Sequence, residues 1–115
     1  MAVEQPEFSV AAVVNDGQMV LTVRGEIDQA TVPELDTAIA AALRIHPYTL
    51  VLDLSGVTLM DSSACRSLMR ARTDALKSAV ELELRGIAVA GRRTLALLGL
   101  DGLFTFTPAE AGSGG

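Results

Sequence analysis

Thr49-Leu50-Val51-Leu52-Asp53-Leu54, continuing into Ser55-Gly56-Val57-Thr58-Leu59-Met60-Asp61-Ser62-Ser63, is the stretch from which the architecture of this chain can be read. Its first six residues are almost all aliphatic or β-branched, which predicts a central strand covered on both faces. The more polar residues 55–63 predict a loop. Asp61 or Ser62 then supplies an N-cap, and Ser63 falls in the first turn of a helix. The apolar side of that helix carries Cys65, Leu68, Met69, Arg72 and Leu76, with Ala75 and Ala79 beside them.

On the N-terminal side, residues 8–14 form a short apolar run. In residues 19–27, Leu21, Val23 and Ile27 alternate with Thr22, Arg24 and Glu26, the period of a strand with one buried face. Asn15-Asp16-Gly17 between the two runs has hairpin-turn chemistry, so the chain opens with an antiparallel pair. Thr31 and Glu34 stand at capping-box spacing, with Pro33 in the first turn. The helix they open has a stripe of Leu35, Ile39 and Leu43 with Ala38 and Ala42, and Pro47 stops it.

On the C-terminal side, Val80, Leu82 and Leu84 alternate with Glu81, Glu83 and Arg85, giving a fourth strand. Residues 89–98 predict a third helix ended by Gly99, and residues 103–106 a short last strand. The order β-β-α-β-α-β-α-β describes a single α/β domain: a mixed, mostly parallel sheet with helices packed on it. Residues 1–107 form the domain, and residues 108–115 read as a flexible C-terminal tail.

Half of the 115 residues are hydrophobic but only 3% are aromatic, so the core is built from aliphatic side chains. The net charge of -5 lacks the basic footprint that direct nucleic-acid binding needs. Cys65 is the only cysteine and His46 the only histidine, which excludes an intramolecular disulfide, a thiolate cluster and a histidine-rich zinc site. The first ten residues lack the pattern of a secretory signal, and no apolar run approaches the ~20 residues of a membrane span. The expectation is a cytoplasmic protein with no membrane insertion.

Catalytic chemistry finds little support. No glycine-rich phosphate loop follows a strand, no cofactor motif is present, and no Ser-His-Asp set can form around His46. Asp28 and Asp61 at adjacent strand ends read as solvated caps rather than an acid pair. Asp53 lies inside its strand instead of at the end, unlike a phospho-accepting aspartate. The chain is expected not to be an enzyme.

Ser63 stands out for a different reason. A phosphate on a first-turn serine would meet free N–H groups and the positive helix end. Asp28 and Asp61, with Ser62 alongside, would make the same phosphate locally repulsive. Along that helix, Arg66, Arg70, Thr73 and Lys77 recur with Ser63 at helical spacing, on the face expected to lie opposite Leu68 and Leu76. This stripe is a candidate partner-docking edge.

These residues resemble a known family. Residues 50–57 (LVLDLSGV) and then Met60-Asp61-Ser62-Ser63-Ala64 are similar to the signature of STAS domains, specifically bacterial anti-sigma factor antagonists. Gly25-Glu26-Ile27-Asp28 resembles the end of that family's second strand. Arg92-Arg93 through Leu97, with Gly99-Leu100-Asp101-Gly102-Leu103-Phe104, resembles its third helix and the turn into the last strand. The resemblance implies partner switching in transcription regulation. The unphosphorylated protein binds an anti-sigma factor that is also a serine kinase and so releases a sigma factor; phosphorylation inactivates it, and a serine phosphatase reverses the step. The matching phosphorylation site is Ser63, flanked by Asp28. Ala64 departs from the glycine usual after the serine pair, Cys65 from an aliphatic residue, and the family's closing helix has no evident counterpart. Within the same family, two other readings are an accessory STAS subunit of a lipid or anion transport system and a non-switchable scaffold paralogue.

Overall fold

The alternation of residues 19–27 is realised in β2 (Gln18–Ile27), which buries Met19, Leu21, Val23 and Ile27 and leaves Arg24 exposed. In the computed structural model, residues 7–110 are described. Around β2 lie β1 (Ser9–Asn15), α1 (Val32–Arg44), β3 (Thr49–Met60), α2 (Ser62–Lys77), β4 (Glu81–Arg85), α3 (Val89–Leu97) and β5 (Thr105–Thr107). The five strands stand in sequence order, β1 antiparallel to β2 and all later pairs parallel. The expected β-β-α-β-α-β-α-β order and mixed, mostly parallel sheet are therefore present.

Two features of β3 differ from expectation. Residues 55–60 are strand, not loop. Against β2, Thr22 pairs with Asp53 but Arg24 with Gly56, and Gly25 pairs with Val57 but Glu26 with Leu59. β3 thus carries extra residues in two bulges, which break the hydrophobic period and make the segment read as a turn. The helices also cover only one face. Leu50, Leu52 and Leu54 join the core with Leu35, Ile39, Leu68 and Leu95. Asp53 points to the opposite face, where its carboxylate accepts the Ser55 N–H at 3.0 Å and hydroxyl at 2.7 Å. Val51 on that face is nonetheless fully buried, in register between Val20 and Glu83.

The helix faces are set by small residues. α2 buries Ala64, Cys65, Ser67, Leu68, Ala71 and Ala75, which lets α1 approach closely. Leu76, expected on this buried side, is 62% exposed. It falls one position past the stripe and lines a groove of about 500 Å³ with Leu82, Leu103 and Phe104. Ala79 has already left the helix, with φ of 56°.

At the far edge, residues 101–103 wind into a 3-10 turn, so the last strand starts two residues later than residues 103–106 predict. Gly99 ends α3 in the left-handed region as expected, with φ of 74°. Gly25 is required by its surroundings: φ is 95°, and a Cβ would lie 2.9 Å from the Phe8 backbone. Of the expected tail, residues 108–110 have no regular structure and Glu110 pairs with Arg85 at 3.1 Å. Residues 111–115, like residues 1–6 of the N-terminal segment, lie outside the described residues. Among the described residues, no helix is long and apolar enough to cross a membrane.

Candidate functional site

Parallel strands β2 and β3 end side by side, with Ile27 in register with Met60 and the Asp61 N–H donating to the Ile27 carbonyl at 3.3 Å. Asp28 and Asp61 are the next residues on each chain. Carboxyl ends of parallel strands are where α/β sheets present functional groups, because the helix N-termini gather there.

Asp61 caps α2. Its extended backbone (φ -98°, ψ -171°) directs the carboxylate at the first turn, where Oδ1 accepts the N–H of Ser63 at 2.9 Å and of Ala64 at 3.1 Å. The Ser63 hydroxyl donates to the same oxygen at 2.5 Å. That donation holds the Asp61 carboxyl below the usual carboxylate range. Partial burial opposes it, and the Ala64 and Ser63 N–H groups and the Arg66 guanidinium reinforce it. Ser63 is half-buried, while Ser62 is exposed and makes no side-chain hydrogen bond among the described residues. Capping therefore rests on Asp61, and Ser62 does not share it.

Asp28 makes a similar turn one strand away. Its Oδ1 accepts the N–H of Ala30 at 2.9 Å and of Thr31 at 3.1 Å. The Thr31 hydroxyl accepts the Asp28 N–H at 3.0 Å and donates to the Glu26 carbonyl at 2.8 Å. The capping box expected from Thr31 and Glu34 is not formed. Thr31 has helical backbone angles (φ -100°, ψ -18°) and its hydroxyl is turned back to the end of β2. The register sets Asp28 beside Asp61, but its carboxylate is engaged in its own turn.

Arg66, Arg70, Thr73 and Lys77 are all exposed on α2. The stripe lies opposite the buried Leu68, but not opposite Leu76, which is itself exposed. Arg70 is tied down: its guanidinium meets Asp36 of α1 at 2.7 Å. The other oxygen of Asp36 accepts the hydroxyl of Ser67, which is 0% exposed. Asp36 and Ser67 thus bolt α1 to α2, a link that the sequence signals only by a serine within an otherwise apolar stripe.

A second feature goes beyond the sequence reading. Leu59 (50% exposed) lines a cavity of about 170 Å³ with Leu54, Val57, Met60, Ala88 and Gly91, and Val89 (75%) lies in the chain between the lining residues Ala88 and Ala90. Exposed apolar residues at the end of β3, immediately before Asp61 in the chain, have the make-up of a protein-docking patch. Cys65, directly behind Ser63, is fully buried, and burial pushes its thiol up, helped by the nearby Asp61 charge. Among the described residues, no group of three His, Cys, Asp or Glu side chains could hold a metal ion.

The model of the STAS domain family matches residues 9–112. Anti-sigma-F factor antagonist RsfB of Mycobacterium tuberculosis is 30% identical over 97 residues, spanning 84% of this chain and 79% of that protein. The crystal structure of an anti-sigma factor antagonist from Mycobacterium paratuberculosis is 32% identical, with a TM-score of 0.81 over 90% of this chain and 88% of that one. The Bacillus cell fate determinant SpoIIAA, solved in its phosphorylated form, shares the fold at 20% identity, with a TM-score of 0.69 over 90% of this chain and 93% of that one.

Proposed function

The chain belongs to the STAS-domain family of anti-sigma factor antagonists, and from that premise we propose that it is a partner switch controlled at Ser63. Unphosphorylated, it binds an anti-sigma factor with serine kinase activity and thereby frees a sigma factor. The kinase modifies Ser63, a serine phosphatase restores it, and the chain itself performs no chemistry. Such partners place its action in the cytoplasm.

The observation that carries this reading is the setting of the Ser63 hydroxyl. It is half-exposed at the start of α2 and held by one hydrogen bond, to the Asp61 carboxylate, so it is presented to an incoming kinase. The phosphate adds roughly -1.5 to -2 charges. The positive end of the α2 dipole stabilises it by about 0.3–1 kcal/mol, so the fold survives. At a packed interface the same charge must be desolvated beside Asp61, with Asp28 on the adjacent strand end, and each ~1.4 kcal/mol lost weakens binding tenfold. Leu59 and Val89 supply the apolar contact, and Arg66 with Lys77 the charge that steers a partner.

The test is phosphate mapping after incubation with ATP and the co-purified kinase, together with affinity measurements. Phosphate is expected on Ser63 alone. Ser63→Ala should bind the kinase persistently, and Ser63→Asp at least about tenfold more weakly. Phosphate on another residue, or Ser63→Asp binding like the unmodified chain, overturns the assignment. Co-purification with permease subunits instead would identify a transport accessory.

A further inference from the structure

We propose that β1 is a self-association edge, through which two copies of this chain join their sheets across a two-fold axis. Among the described residues nothing pairs with the outer side of β1, which stands at the end of the β1-β2-β3-β4-β5 order. Proteins guard such edges with lysine, proline, bulges or very short strands, because unpaired N–H and C=O groups invite another strand. β1 has none of these: Ser-Val-Ala-Ala-Val-Val-Asn is seven residues long, uncharged, and in continuous register with β2 from Ser9–Arg24 to Asn15–Gln18. Val13 is 56% exposed and Val14 61%.

The occupant is argued from the strand's own pattern. Laid antiparallel on itself about Ala12, the strand sets Ser9 against Asn15, Val10 against Val14, and Ala11 against Val13. Polar meets polar and apolar meets apolar at every position. Since no residue is charged, the two-fold axis opposes no like charges, the usual penalty of self-pairing. Both strands also keep their faces in this register. Val10, Ala12 and Val14 stay on the helix side, where Val10 and Ala12 border a cavity of about 180 Å³ closed on its other wall by Ala38, Ala41 and Ile45 of the α1 region. Ile45 is 61% exposed, and the rest of this wall is alanine. Backbone pairing and this apolar strip would be satisfied together by the same second copy.

The opposite edge limits the assembly to two. β5 has only three residues, is followed by Pro108, and has Arg92 stacked on Phe106 at 4.1 Å. A head-to-tail polymer through β1 and β5 is therefore blocked, and the closed isologous dimer is the remaining solution. Ser63 stands beyond β3, two strands in from the joined edge, so this interface is separate from the proposed switch.

Sedimentation velocity on the full chain across a concentration series tests the inference. A reversible monomer–dimer equilibrium is expected. Ala12→Lys and Ala12→Asp should each weaken self-association by about tenfold or more, since each sets like charges together at the axis. Both variants should keep the circular dichroism spectrum, because the position is exposed. Mixing the two should restore a dimer, which only a register centred on residue 12 provides. A monomer throughout, a dimer unchanged by both variants, a mixture that stays monomeric, or growth into long polymers would each overturn it.

Discussion

The starts of α1 and α2 are built alike, yet they hold their hydroxyls in opposite ways. Each follows a parallel strand, and each opens with an aspartate whose Oδ1 accepts the N–H groups two and three residues on. At α1 the nearby hydroxyl belongs to Thr31, which both accepts from the Asp28 N–H and donates to the Glu26 carbonyl. At α2 it belongs to Ser63, which has one partner, Asp61. The same turn thus makes one hydroxyl a rivet and leaves the other with a single side-chain partner, the setting proposed above for modification. The number of backbone partners, rather than the aspartate, separates the two hydroxyls.

The largest expected effect is on the rivet. Thr31→Val strands a backbone donor and a carbonyl at the end of β2 and should cost about 1–2 kcal/mol in urea unfolding. Ser63→Ala removes a half-exposed hydroxyl with one acceptor and should cost less than half of that. Equal losses would erase the distinction.

Next is the cap. Asp61→Ala should lose about 1 kcal/mol. Because its folded-state pKa is lowered, the ionised Asp61 contributes stability in full above the unfolded value near 3.9. That contribution declines as pH falls through and below this range. Asp61→Asn keeps a capping side chain but should flatten this part of the pH–stability curve, read by thermal melts from pH 2 to 7; an unchanged slope would sink the claim.

The smallest effect is at Ser62. Ser62→Ala should change stability by less than about 0.5 kcal/mol and leave phosphate incorporation unaltered, checked by the same melts and mapping. A larger loss would show that capping is shared.

Sequence patterning served well where one face of an element is buried. The period of β2 and the stripe of α1 could be read directly, because each depends on local spacing; the cap of α2 was narrowed to Asp61 or Ser62, and only the hydrogen bonds assign it to Asp61. It failed where tertiary context intervenes. Residues 55–60 look like a turn because two bulges interrupt their period, and only the pairing with β2 shows them to be strand. Thr31 has the spacing of a capping box, but competition from the Glu26 carbonyl removes its hydroxyl. Leu76 fits a helical stripe drawn through Leu68, yet α2 packs through its small residues and turns that leucine outward. The Ser63 position was legible from Asp61, whereas the apolar flank of Leu59 and Val89 required the β3–α3 contact to bring it together.

The alanine-rich inner side of α2 has an evolutionary consequence. Ala64, Cys65, Ser67, Ala71 and Ala75 are fully or almost fully enclosed, so enlarging any of them pushes against α1 or the sheet. Ser67 is further held by Asp36. Ser62, Arg66, Thr73 and Lys77 can therefore change without disturbing the packing, while the inner side tolerates little change. Diverging copies of this chain should differ along that outward stripe long before they differ on the inner side of the helix that carries it.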